Sequence, residues 1–398
     1  MNFLLIPLLF LLWRVFDFLI IFFSQKVIPY LGFFPYSDQL PRFHLPTWIS
    51  ALANFDGLHY ISIAGNGYAQ YEQAFFPLYP ILIKFLSPLF LNNQLLTGLI
   101  ISNFSFLLGL IIFNKYLKLI FPKNHSSVNF VIFFLLFFPT SFFFGAVYTE
   151  GLFFLLLISV LYFLKKENYF LVVIFAFLAS LTRLIGVFLI IPIIFHLVEK
   201  YKITKIKYQK NMLKLKNLVL IAPILGLGIY CFYLYKTTGD PFFFLTSQPI
   251  FGANRSSHLI FLPQVYWRYF KIFITAAHDS RFYVSIIEFL IFNFVFIILV
   301  LDLFNILKIN NWKLIRNLKL EIRNFDLLAL NLFSFANLIL PTLTGTFSSI
   351  PRYSLFSLSF FIYLSQIKNN LIKYFILIIF LILHILLLGY FTQGYFIS

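Results

Sequence analysis

The chain has 398 residues, 61% of them hydrophobic and only 11% charged, with a mean hydropathy of +0.92. That balance excludes a soluble globular domain, and no polar stretch is long enough to fold separately. The whole of 1–398 therefore reads as one all-α polytopic membrane domain. The net charge of +17 would fit a nucleic-acid partner, but most Lys and Arg lie in short segments between apolar runs, the pattern of cytoplasmic loops, so no nucleic acid is expected.

The first apolar run, about Phe3 to Phe23, contains Arg14 and Asp17 at a spacing that puts both on one helix face as a mutually neutralising pair. No cleavable signal is evident, and this segment is expected to remain as an anchor. A long loop, 24–93, follows. Its later part, Phe75 to Leu91, is broken by Pro77, Pro80 and Pro88 and reads as a helix lying along the membrane interface.

Further spans are expected at about Leu95–Asn114, Val128–Val147, Glu150–Leu164, Asn168–Leu181 and Leu184–Val198. Then come Leu218–Tyr235, Tyr283–Leu307, Phe325–Leu343, Pro351–Ser365 and Leu371–Tyr390, roughly eleven crossings in all. With the N-terminus inside, the loops on the cytoplasmic side collect nineteen of the 30 Lys and Arg, including seven lysines between Lys200 and Lys216. The expected outer face then holds the long loop 24–93 and a second loop, 236–282.

The stretch Asn54–Pro80, NFDGLHYISIAGNGYAQYEQAFFPLYP, is the part that does not read as plain span. It carries Asp56, His59 and Glu72 among six Tyr and Phe rings beyond Phe55, punctuated by Gly and Pro. The expected topology brings it to the same face as Tyr148, Glu150, Arg183, Arg352 and Tyr353. Ionisable groups at membrane depth are costly, so residues of both signs arriving from separate segments point to a site. A carboxylate in a half-buried loop suits general-base work on a hydroxyl. Arginines at the mouth of a bundle suit phosphate, through fork-shaped donors on a permanent charge. Together they point to group transfer from a phosphate-bearing donor with an apolar tail lying between the spans.

The segments FDGLHYISIAGNGY and AFFPLYP resemble the signature loop of the PIG-V mannosyltransferases, members of the GT-C glycosyltransferases. FFPTSFFFGAVYTEGLFFLLLISVLYFL, LASLTRLIG and IPRYSLFSLSFFIYL resemble that family's later motifs in the same order. The family pattern normally begins Trp-Asp; here Phe55 precedes Asp56. The resemblance implies a GT-C-type fold and inverting transfer of a hexose, mannose above all. The donor would be a polyprenyl-phosphate sugar, the acceptor a hydroxyl of a glycan, glycolipid or protein on the non-cytoplasmic face. It implies Asp56 as the catalytic carboxylate, with Glu150 and His59 nearby.

Each of these residues also has a plainer reading. Asp56 could be a loop or cap residue, His59 could pack, and Glu72 could be an interfacial charge. Glu150 opens an apolar run, where a carboxylate complements the helix dipole, or it could assist a divalent cation (Mg²⁺ or Mn²⁺) or the acceptor. Arg183 and Arg352 could simply snorkel to the interface. Arg255, His258, Arg268, His278 and Arg281 in the second outer loop could bind acceptor or donor, but nothing in their spacing is diagnostic. His44, His125, His196 and His384 make no ligand pattern, and Cys231 is alone, so no dedicated metal site is expected. Membrane lipids surround the chain, and the length and lack of a retrieval signal favour a bacterial cell membrane. The alternatives are a transferase of another sugar for the cell envelope or for protein, and a lipid-linked sugar transporter without catalysis.

Overall fold

A computed structural model describes residues 5–122, 124–204, 210–252, 255–307 and 322–397. Lys123, Lys205, Lys207, Lys308, Lys313, Arg316 and Lys319, used above for topology, lie outside the described residues.

The described residues form helices and turns with no strand. In chain order they are α1 (Leu5–Val27), α2 (Thr47–Ser50), α3 (Asp56–Asn66), α4 (Leu78–Leu86), α5 (Gln94–Ile120) and α6 (His125–Leu136). Next come α7 (Glu150–Lys165), α8 (Tyr169–Thr182), α9 (Ile190–Thr204), α10 (Lys210–Thr238) and α11 (Phe243–Thr246). The last are α12 (Leu262–Thr275), α13 (Ser280–Leu307), α14 (Ile322–Thr342), α15 (Ile350–Tyr353), α16 (Leu358–Gln366) and α17 (Asn370–Thr392). Local sequence sets several starts. Asn93, Asn124, Asn168 and Asn369 each accept a backbone N–H from the first turn of α5, α6, α8 and α17, the preferred use of Asn at a helix start.

Of the eleven segments expected to cross, six lie in helices long and apolar enough to do so: α1, α5, the Leu218–Thr238 part of α10, α13, Phe325–Thr342 of α14, and α17. The other five are shorter or broken. The run 128–147 is helical only to Leu136 and then folds into the tight turn Ser141–Gly145, next to Pro139. At Arg183 the chain leaves the helix, and Leu184–Leu189 forms a separate tight turn before α9. The run 351–365 divides into α15, a turn at Ser354–Phe356, and α16. Segment 75–91 holds only the nine-residue α4 and the turn Ser87–Phe90, too short to cross.

The packing explains why these shorter or broken segments are as apolar as the long helices. Helix α7 is apolar on all sides because it is buried on nearly all sides, and it lies against α5 and α8. The close approach of α5 and α7 needs small residues: a methyl group at Gly109 would overlap the Phe154 ring, and one at Gly151 would overlap the Ser102 carbonyl. On α1, α10, α13 and α17, by contrast, rows of Leu, Ile and Phe stay exposed, the faces expected to meet lipid.

One sealed charge network ties α1 to α17. Asp17 accepts from Arg14 at 2.8 Å and is bonded to His384 at 2.8 Å. Ser141 bonds the other His384 nitrogen at 3.2 Å, and Arg14 reaches the Gly145 carbonyl at 3.4 Å. The network thereby fixes the 141–145 turn, and with it the start of α7, where the site begins.

Candidate active site

Asp56 is the first residue of α3, where the helix dipole favours its charged form. The residue before it, Phe55, is held at φ 59°, ψ −115°, a conformation that costs a side-chain-bearing residue about 1–3 kcal/mol. Packing enforces it: the Phe55 ring lies against Phe34, Phe391 and Phe396. The same device recurs at the site. Tyr71 (φ 71°) precedes Glu72, and Ser349 (φ 69°) opens the turn α15 that carries Arg352. The loop before Asp56 is also tied to the start of α7. The Val147 N–H donates to the Leu52 carbonyl at 3.0 Å, the Tyr148 hydroxyl to the Asn54 carbonyl at 2.8 Å, and Asn54 to the Phe391 carbonyl at 3.0 Å.

Arg352 donates to Asp56 at 2.7 Å, joining residues 296 positions apart. Its Nε lies 3.6 Å from Glu150, which also accepts from Arg183, so the fully buried Glu150 carboxylate serves two guanidinium groups. Arg183 further donates to the Thr149 hydroxyl at 2.9 Å and lies over the Tyr353 ring, 5.0 Å from its centroid. Arg352 in turn lies over the rings of Phe143 and Tyr148. His59 is bonded through Nδ1 to Glu72 at 3.0 Å and stacked on Phe75, and the second Glu72 oxygen accepts from the Ala69 N–H. Glu72 thus fixes both the ring of His59 and its own turn, 69–72.

These groups surround one cavity of about 910 Å³. Asp56, His59, Glu72, Arg183, Arg352 and Tyr353 line it, and the side chain of Asp56 is 26% exposed. Tyr148 and Glu150 do not; both lie behind the wall, holding the backbone and the arginines. Burial favours the neutral form of Asp56. The Arg352 guanidinium beside it overrides this, with His59 and Arg255 adding, and holds the carboxyl below its ordinary range. Burial pushes the Tyr60 phenol up, so it stands in the wall as a neutral hydroxyl.

Of the second-loop residues named as possible donor or acceptor contacts, Arg255, His258 and Arg281 line the cavity and Arg268 and His278 do not. Asn337 and Phe251, which also line it, had no signal in the sequence. Arg255 reaches the cavity and donates to the Ser349 hydroxyl at 3.3 Å. Asn337, Phe251 and Arg281 line it from α14, the second outer loop and α13. Each comes from a long loop or an apolar helix, and only tertiary folding brings it to Asp56. Among the described residues no three His, Cys, Asp or Glu are grouped as a metal site.

The family model of mannosyltransferases (PIG-V) matches residues 44–246, about half of the chain, including Asp56, His59, Glu72, Glu150 and Arg183. The chain belongs to this family. It is thus of a glycosyltransferase kind, with a sugar donor and an acceptor as its substrates, and is an integral multi-pass membrane protein. No curated protein and no solved structure matches it. Within the family frame, Arg255, Ser349 and Arg352 come from beyond the matched segment, so the cavity is completed by parts of the chain that the family model does not reach.

Proposed function

We propose that the protein transfers a hexose, mannose in the first instance, from a polyprenyl-phosphate carrier to an acceptor hydroxyl on the non-cytoplasmic face. Transfer inverts the anomeric carbon, and the fold is of the GT-C type. The observation that carries this reading is the half-buried Asp56 carboxylate in a large cavity that Arg183, Arg255 and Arg352 also line.

In the free protein Arg352 holds Asp56 as a weak base. Donor phosphate competes for the same guanidinium, whose planar fork suits phosphate oxygens. As Arg352 turns to the phosphate, Asp56 loses the charge that stabilised its anion and becomes a stronger base. Asp56 then takes the proton of the acceptor hydroxyl while that oxygen bonds to C1 of the sugar. The bond from C1 to the phosphate oxygen breaks, its electron pair stays on the phosphate, and polyprenyl phosphate leaves, its charge countered by the arginines. Glu150 keeps both guanidinium groups in place without touching substrate. Asp56 and Glu150 each face an arginine, and among the described residues no third His, Cys, Asp or Glu is grouped with them. No step is routed through Mg²⁺ or Mn²⁺, and the effect of EDTA on turnover tests that omission.

The test uses purified protein in lipid nanodiscs with polyprenyl-phosphate mannose or polyprenyl-phosphate glucose and a pool of bacterial membrane lipids. Mass spectrometry follows free polyprenyl phosphate and a product heavier by one hexose. Carrier release that requires the acceptor pool and is lost in Asp56→Asn is expected. Intact carriers with both sugars, or full turnover in a folded Asp56→Asn variant, would overturn the reading.

A further inference from the structure

Glu288 lies on α13, 5% exposed and outside the cavity lining. Its carboxylate is held by neutral donors. The Tyr269 hydroxyl donates to one oxygen at 2.9 Å, and the backbone N–H of Ser349 to the other at 3.2 Å. A buried carboxylate served by neutral groups is costly to fold around, which directs attention to what it holds. Ser349 is the positive-φ residue that opens the turn α15, and three residues later Arg352 donates to Asp56.

The rest of this corner is fastened by the same neighbours. Tyr269 accepts from the Phe347 N–H at 3.1 Å, Arg268 donates to the Gly345 carbonyl at 3.1 Å, and Arg255 donates to the Ser349 hydroxyl. Helices α12 and α13 therefore grip the segment 345–349 from behind. Glu288 binds the one amide at which the chain reverses into the Arg352 turn.

We infer that Glu288 is a positioning residue for Arg352. It holds the strained Ser349 conformation, and through it the direction in which the guanidinium enters the cavity. This rests on the use of Arg352 proposed above. Without Glu288, Ser349 can relax from its positive φ and α15 can rotate. A misplacement of about 1 Å in a group that orients substrate costs up to roughly 100-fold in rate.

The test compares Glu288→Ala, Glu288→Gln and Tyr269→Phe in nanodiscs with polyprenyl-phosphate mannose as the probe. Two readouts are used: kcat/KM for the donor, and deuterium exchange of the 345–353 amides. Glu288→Ala is expected to speed exchange in that segment and to lower kcat/KM by roughly 10- to 100-fold. Glu288→Gln, which can still accept from Ser349 and donate to the Tyr269 oxygen, is expected to restore most of both. Tyr269→Phe, nearly isosteric, moves both readouts in the same direction by less, and serves if Glu288→Ala does not fold. In an Arg352→Ala background, Glu288→Ala should lower kcat/KM little further, because the group it positions is already gone. Additive losses, or faster exchange with unchanged kcat/KM while Arg352→Ala is inactive, would overturn the positioning role alone. An Arg352→Ala variant that turns over normally would overturn both this role and the mechanism it serves.

Discussion

Two arginine–carboxylate networks lie inside this bundle, built from the same side chains and put to different uses. In one, Arg14, Asp17 and His384 are sealed, with Asp17 and His384 wholly inaccessible and both carboxylate oxygens bonded. In the other, Asp56, Arg352 and Arg183 line a 910 Å³ cavity with Glu150 behind them, and the Asp56 side chain keeps a quarter of its surface open. Closeness of charge does not separate a clamp from a site. Access does.

The largest effect should fall on the open network. Asp56→Asn preserves shape and removes the base, so turnover should drop by about 10²- to 10⁴-fold, the usual worth of general-base catalysis. The thermal unfolding midpoint should fall by less than in the sealed network, because Glu150 still faces the Arg352 guanidinium when its pairing with Asp56 is lost. A midpoint that collapsed along with activity would make Asp56 a second clamp and remove the contrast.

The sealed network should respond in the opposite way. Asp17→Ala leaves Arg14 buried without its carboxylate, and breaking such a pair costs about 3–5 kcal/mol. The unfolding midpoint in detergent should fall sharply, while the folded fraction keeps its turnover. Loss of turnover in that folded fraction would show that the 141–145 turn reports to the site at Glu150.

How much of this was legible in the sequence follows from the same physics. The Asp56 stretch stood out because charge, Gly and Pro are concentrated there, and Arg183 and Arg352 because guanidinium groups are scarce in apolar runs. Residues Asp56, His59, Glu72, Arg183, Arg352 and Tyr353 do meet in one cavity. Glu150 and Tyr148 are drawn toward it but stop behind its wall, since a linear pattern gives the neighbourhood of a side chain and not which side of a wall it faces. Glu288 was silent, one carboxylate within an apolar helix whose partner amide lies 61 positions away. Five of the eleven expected crossings lie in shorter or broken helices for a related reason. Hydropathy scores 128–147, 184–198 and 351–365 like spans, because segments buried against other helices are as apolar as those facing lipid, and the turns that break them are made of the same residues.

Acidity offers a finer probe of the open network. Asp56 titrates below its ordinary range because of Arg352, so the acid limb of the turnover profile in the free enzyme should lie below the usual carboxylate value of about 3.9. Arg352→Gln removes the opposing charge and leaves burial, which favours the neutral acid. The limb of the residual activity should therefore move to higher pH. Stability follows the same sign: the pairing contributes fully above the unfolded value and is lost as pH falls through the lower folded one. A limb that stays put in Arg352→Gln would mean that another group sets it.

The smallest effect belongs to a third pair, Lys200 with Glu167, which lies in solvent rather than in either network; Glu167 is about half exposed. Exposed pairs contribute about 0–1 kcal/mol. Glu167 also occupies a left-handed position (φ 57°) in the turn between α7 and α8. That conformation costs a residue with a Cβ roughly 1–2 kcal/mol, which glycine does not incur, though glycine gives back part of the gain through its freer unfolded chain. The two terms oppose each other at similar size, so Glu167→Gly should change stability by no more than about 1 kcal/mol in either direction and leave turnover untouched. Denaturation at low and high salt separates them, since only the ion-pair part is screened. A loss as large as that of Asp17→Ala would mean that exposure does not rank these pairs, and the distinction drawn between the two buried networks would lose its physical basis.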